Sequence, residues 1–195
     1  WIDFDKSYWS HFASGVLANG YRCIIPSYDL CPTVKISDIT CQIKDLICYV
    51  LKNFDGMISL TGHSAGGHLV SRMVSTEQWN GSKLRSDFLK RLNHVVAISP
   101  IADLRPLLKT SMNNKFNLDY DTAEKESPVI HIKMNVPFTV FVGENERPAF
   151  LSQANYLSQA WSCSKLIAKG KHHFNVLDDL ENERSRLVNL LTKIH

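Results

Sequence analysis

Apolar and polar positions along this chain switch repeatedly between a period of two and a period near 3.6. Residues 21–29, YRCIIPSYD, form a short apolar run after Asn19-Gly20, and Pro26 near its end suits a strand that is finishing. Over 37–54, Ile39, Ile43, Leu46, Ile47, Val50, Leu51 and Phe54 recur at spacings of three and four, with Ser37 or Asp38 available as a cap and Asp55-Gly56 as a stop. That spacing predicts a helix. MISLTGHS (57–64) then reads as strand, AGGHLVSRMVST (65–76) as helix and NHVVAISP (93–100) as a buried strand rich in branched residues. FTVFVGENE (138–146) and KLIAKGKHHF (165–174) give two further strand-like runs on either side of AFLSQANYLSQAW (149–161), whose apolar spacing is helical. The last stretch, 175–194, reads as one amphipathic helix.

Strands alternating with helices of this length imply right-handed crossovers and a mainly parallel sheet with helices on both faces, so the fold class is α/β. Residues 101–137 hold neither period for long. That segment exceeds a typical loop and reads as a cap-like insertion above the sheet rather than a domain boundary. At 195 residues with 44% hydrophobic residues, the chain suits one domain, 1–195, with a core of ordinary density.

A formal charge of +3, with 21% charged residues and no run of five like charges, does not point to nucleic acid. No stretch of 18 apolar residues exists, so no membrane span is expected. The five cysteines (Cys23, Cys31, Cys41, Cys48, Cys163) are odd in number, form no CxxC pair and lie in apolar patterns, which suits a reducing compartment and a cytoplasmic location.

The chemistry is carried by Gly62-His63-Ser64-Ala65-Gly66, a G-x-S-x-G pattern between a predicted strand and a predicted helix. That is the context of a nucleophile elbow, in which a sharp turn lifts a strained serine and the flanking glycines avoid Cβ collisions. A serine hydroxyl is a weak nucleophile at its own pKa, so it needs a base to take its proton and donors to receive the oxyanion. The backbone N–H of Ala65, at the positive end of the following helix, is the candidate donor. A triad on this architecture runs serine, acid, histidine along the chain. Glu144 and Glu146 follow one strand, and His172 and His173 follow the next. Glu146 lies in a turn closed by Pro148 and is the better acid, whereas Glu144 reads as a solvated carboxylate. His63 and His68 are five apart with no carboxylate cluster, so they read as packing and hydrogen-bonding residues and no metal is expected.

The blocks SGVLANGY, YDLCP, GHSAGGHL, SPIADLRPL, VGENERPAFLSQA and HHFNVLDDL resemble, in order and along nearly the whole chain, those of the α/β-hydrolase fold and within it the serine-dependent kynurenine formamidases and related esterases. The resemblance implies Ser64 as nucleophile, Glu146 as the acid where many relatives carry aspartate, and His173 rather than His172 as the base. It also implies that the N-terminal strands of the fold and an HGGxW oxyanion loop precede this chain, with Trp1 as the tryptophan of that loop. The implied reaction is cleavage of an aryl formamide such as N-formylkynurenine through a formyl-serine, a step in tryptophan catabolism that needs no cofactor. The expected partner is a small aromatic amide or ester substrate, and a homodimer is an open expectation. Trp1, Tyr8, Trp9 and Phe150 are candidates to wall an apolar slot for the amine. A small-molecule carboxylesterase using the same three residues, and a catalytically impaired ligand-binding module on the same scaffold, are the alternative readings.

Overall fold

The computed structural model describes residues 1–193. Four strands, β1 (Ile58–His63), β2 (Leu92–Ile98), β3 (Phe138–Gly143) and β4 (Ser164–Ala168), form one sheet in the order β1-β2-β3-β4. All three pairings are parallel. Among the described residues the α-helices are α1 (Ser14–Ala18), α2 (Ile36–Asn53), α3 (Ala65–Met73), α4 (Arg85–Arg91), α5 (Asn113–Phe116), α6 (Tyr120–Lys125), α7 (Pro148–Ala160) and α8 (Arg186–Thr192).

The two central strands show why the sheet takes helices on both sides. Val95 and Ala97 of β2, with Phe138, Val140 and Val142 of β3, point into a core shared with α2, α3, α4 and α7. Their alternates Val96, Ile98 and Phe141 point into a second core with Leu187 and Leu191 of α8 and with Val176, Leu177 and Leu180. Apolar residues on both alternations require two covering layers, because either face left bare would expose a hydrophobic surface to water. A third cluster joins Ile36 and Ile39 of α2 and Leu69 of α3 to Trp1, Cys31, Leu104, Phe116, Leu118 and Ala123. Through it Leu104, Phe116, Leu118 and Ala123 of 101–137 pack against α2 and α3.

Several local expectations are corrected. Residues 21–29 alternate in exposure at first, but they join no ladder: among the described residues β1 pairs only with β2. A strand needs a hydrogen-bonded neighbour. Here Asp29 N–H is instead taken by Gln42 Oε1 at 3.0 Å and Cys31 N–H by the Trp1 carbonyl at 2.8 Å. Helix α2 starts at Ile36, with Asp38 accepting the Lys35 N–H at 2.9 Å, so Ser37 lies inside the first turn. The expected single helix over 175–194 is broken. A 3-10 turn over Asn175–Leu180 is followed by α8, because Asn182 Oδ1 accepts the Arg184 N–H and Ser185 Oγ accepts the Val188 N–H, each at 3.0 Å. Such short side chains offer the backbone an alternative to continued helix and then cap the next one. Ile194 lies outside the described residues. The 3-10 turn over Lys6–Ala13 and helices α1 and α4 were not anticipated.

Candidate active site

Each of the four parallel strands ends by presenting one polar residue at the same edge of the sheet. Ser64 follows β1, Ser99 follows β2, and Glu146 and His173 lie in the turns after β3 and β4. Backbone hydrogen bonds carry the ladder past the strand ends: Ser64 N–H to the Ile98 carbonyl at 2.9 Å, Ser99 N–H to Phe141 at 2.7 Å and Glu144 N–H to Ala168 at 2.9 Å. The carboxyl ends of the strands are where open α/β sheets bind their ligands.

Ser64 has φ 54° and ψ −109°, a strained conformation for a residue with a Cβ, and α3 begins at the next residue. A Cβ on Gly62 would stand 2.2 Å from the Gly66 carbonyl oxygen, so the residue before His63 has to be glycine. The expected reciprocal constraint is absent, since a Cβ on Gly66 would meet nothing within 4 Å. Ala65 opens α3, where its N–H has no acceptor within the helix.

Glu146 and His173 are brought together. His173 Nδ1–H donates to Glu146 Oε2 at 2.7 Å, and the glutamate side chain is fully buried. Its other oxygen, Oε1, accepts from the Ser99 hydroxyl and from the Gly143 N–H at 3.4 Å. Burial pushes the Glu146 carboxyl up, but the hydrogen bonds from His173 and Ser99 and the imidazole charge outweigh it and hold the carboxyl below its ordinary range. A Cβ on Gly143 would lie 2.4 Å from the Lys171 carbonyl, so this glycine lets the turns after β3 and β4 close on each other.

The His173 ring is held between aromatic neighbours. Phe150 stacks on it with ring centroids 3.9 Å apart, and His63, the residue before Ser64, lies 4.4 Å away on a tilted plane. Burial, reinforced by repulsion from His173, pushes His63 down to about 4, so it is neutral near pH 7. Ser64 therefore adjoins a residue in ring contact with His173. Among the described residues its hydroxyl forms no hydrogen bond, with His173 or any other group. Such links are commonly long before substrate binds.

The remaining candidates are placed as follows. Glu144 is exposed and accepts the Gly170 N–H at 2.8 Å; His172 is exposed and its Nδ1 accepts the N–H groups of Phe174 and Asn175. His68 is fully buried, its Nε2–H donating to the Glu126 carbonyl at 2.7 Å. Of the four aromatics expected to wall the slot, Phe150 is the one in ring contact with His173. Trp1 is buried edge-on to His68 and Phe116, Trp9 stacks on Phe12, and Tyr8 is exposed beside Phe4. Sequence reasoning missed Ser99 and the contact of His63 with His173. His63 ends β1 and Ser99 follows β2, and that placement at the carboxyl end of a strand was the available signal. Among the described residues no group of three His, Cys, Asp or Glu side chains is placed to hold a metal ion.

The model of the BD-FAE family matches residues 2–161. The chain belongs to this family. It is 49% identical to a proposed thioesterase from Silicibacter sp. TM1040, with a TM-score of 0.93 over 99% of this chain and 72% of that one. Kynurenine formamidases of Danio rerio and Salmo salar are 25% and 24% identical, over 99% and 100% of this chain and 71% and 69% of theirs. The apo form of Thermogutta terrifontis esterase 2 is 20% identical with a TM-score of 0.59, a likeness of fold that covers 81% of this chain. These matches support a hydrolytic enzyme on the α/β-hydrolase fold. Among the described residues no helix of this BD-FAE member is long and apolar enough to cross a membrane.

Proposed function

We propose that the chain is a serine hydrolase in which Ser64 is the nucleophile, His173 the general base and Glu146 the acid that orients it. The observation that carries the reading is the 2.7 Å bond between His173 and a buried, ionised Glu146, formed beside the strained turn at Ser64. Glu146 fixes the tautomer with the proton on Nδ1, which leaves Nε2 as the basic atom. Ser64 Oγ, which holds no hydrogen bond among the described residues, approaches that atom and gives up its proton as it attacks a substrate carbonyl. The oxyanion then lies against the Ala65 N–H at the positive end of α3. As the proton arrives on His173, the Glu146 charge stabilises the imidazolium. His173 returns the proton to the leaving group, then activates the water that releases the acyl group from Ser64.

The proposed substrate is an aryl formamide of the N-formylkynurenine type, cleaved to formate and the free arylamine through a formyl-serine. The kynurenine formamidases that align along the whole chain support it, and the Phe150 face beside His173 gives an aromatic amine a surface to meet. Residues 101–137 are the proposed cap over this substrate. A second reading, hydrolysis of a short-chain ester or thioester by the same three residues, is favoured by the 49% identity to the proposed thioesterase.

Turnover of N-formylkynurenine, p-nitrophenyl acetate and acetyl-CoA by one preparation separates the two. The formamidase reading expects the highest kcat/KM for N-formylkynurenine. Preference for p-nitrophenyl acetate or for acetyl-CoA selects the second. Equal rates for wild type and Ser64→Ala on every substrate would reject both.

A further inference from the structure

Three of the four strand-end residues have a part in the proposed reaction, and the fourth, Ser99, has none. Ser99 is nonetheless built into the site. It is fully buried, its φ of 46° lies in the left-handed region, and its N–H is committed to the Phe141 carbonyl at 2.7 Å. Glycine would adopt this φ without strain, whereas a serine there is disfavoured and persists only where something holds it. The hydroxyl that this conformation presents has one acceptor, Glu146 Oε1.

We infer that Ser99 is a positioning residue for the hydrolytic reaction: by donating to Glu146 Oε1 it leaves Oε2 as the oxygen presented to His173 Nδ1. The inference rests on the Ser64, Glu146 and His173 reading above. A glutamate has one more side-chain torsion than an aspartate, and its terminal torsion is broad, so a carboxylate held through one oxygen can swing. The Gly143 N–H, at 3.4 Å from the same Oε1, is too long to hold it alone. With Oε1 tied to β2 through Ser99 and Oε2 tied to the turn after β4 through His173, the carboxylate bridges strand ends on either side of its own. Ser99 touches neither Ser64 nor His173 by any hydrogen bond among the described residues, so it acts through Glu146 alone.

The test is the kinetics of p-nitrophenyl acetate hydrolysis by the intact protein carrying Ser99→Ala or Ser99→Gly, each alone and combined with Glu146→Gln. Both single variants should lower kcat on the order of 10- to 100-fold, the scale of a slightly misplaced catalytic group, with KM changed less than about twofold. In the Glu146→Gln background the further change should be less than about twofold, because the two residues act as one unit. Ser99→Gly relieves the backbone while removing the hydroxyl, so it should melt no lower than Ser99→Ala and still be slow. That separates positioning from a purely structural role. Wild-type kcat in both single variants, or an equal loss with and without the Glu146 carboxylate, would overturn the inference. Ser64→Ala run alongside distinguishes the two levels: if Ser64→Ala is dead and the Ser99 variants are fully active, the triad stands and Ser99 falls alone. If Ser64→Ala is fully active, both fall.

Discussion

Two glutamates are buried in this molecule, and they are buried in different company. Glu126 meets a permanent cation: Arg72 Nε lies 3.3 Å from its Oε2, both side chains are buried, and Thr40 Oγ1 donates to the same oxygen at 2.8 Å. Glu146 meets neutral donors, the Ser99 hydroxyl and the Gly143 N–H, and an imidazole whose charge appears only when it takes a proton. At Glu126 the countercharge is constant, so the arrangement can only hold: it pins the segment before β3 to α2 and α3. At Glu146 the carboxylate is desolvated ahead of time, and in the proposed mechanism the cation arrives with the reaction. A buried charge partnered by a titratable group is available for chemistry in a way that one partnered by guanidinium is not.

Substitutions that neutralise each carboxylate should separate the two roles. Glu146→Gln should cost on the order of 10⁴ in kcat, the scale found when a triad carboxylate becomes an amide, while the melting temperature moves little. Turnover of p-nitrophenyl acetate and a thermal scan check both. Glu126→Gln should do the reverse. Leaving Arg72 buried without its partner should cost about 3–5 kcal/mol in urea unfolding, with kcat per folded molecule unchanged. A large loss of turnover in folded Glu126→Gln would break the comparison.

Near each glutamate lies a desolvated neutral histidine, His68 fully buried and His63 partly buried, and the two set a shared pH dependence. His68 donates Nε2–H to the Glu126 carbonyl, and its buried Nδ1 has no hydrogen-bond partner among the described residues; burial chiefly, with Arg72 adding to it, pushes His68 down to about 3. His63, beside His173, is pushed down to about 4. In both, the folded value lies below the ordinary 6.5, so the unfolded chain binds protons first. Their stabilisation is complete above pH 6.5 and is lost as pH falls toward the folded values, on the order of 3 kcal/mol for His63 and about 5 kcal/mol for His68. Glu146, held below its ordinary 4.5, adds a loss that begins near that value as pH falls. Unfolding free energy should therefore decline from about pH 6.5 downward, and His68→Asn should flatten that slope. A stability flat between pH 6.5 and 5 in the wild type would contradict the placement of both histidines. The smallest expected effect is at Thr40: Thr40→Val removes one neutral donor from Glu126 and should cost about 1 kcal/mol in urea unfolding without altering turnover.

The parts legible in the sequence were those whose cause is local or periodic. β2 and β3 carry apolar residues on both alternations, α2 has a stripe at three and four, and the glycine before His63 is needed for the turn at Ser64. The order of serine, acid and histidine along the chain pointed to Glu146 and His173, which do meet. The illegible parts depend on neighbours distant in sequence. Residues 21–29 have strand-like residues but no ladder partner. Ser99 meets Glu146 from 47 positions away, and nothing in AISP indicates a left-handed serine. His63 read as a packing residue because the chain alone does not show that its ring faces His173. Within 101–137 the short helices α5 and α6 are organised by burial of Phe116, Leu118 and Ala123 against α2 and α3, and no period reports that.

The most direct test of the central claim is covalent labelling of the protein with diethyl p-nitrophenyl phosphate, followed by peptide mass mapping in the wild type and in His173→Ala. One phosphoryl adduct on Ser64 in the wild type, and a loss of labelling in His173→Ala, is the predicted result. An adduct on a different residue, no adduct at all, or equally fast labelling of Ser64 without the imidazole would contradict it.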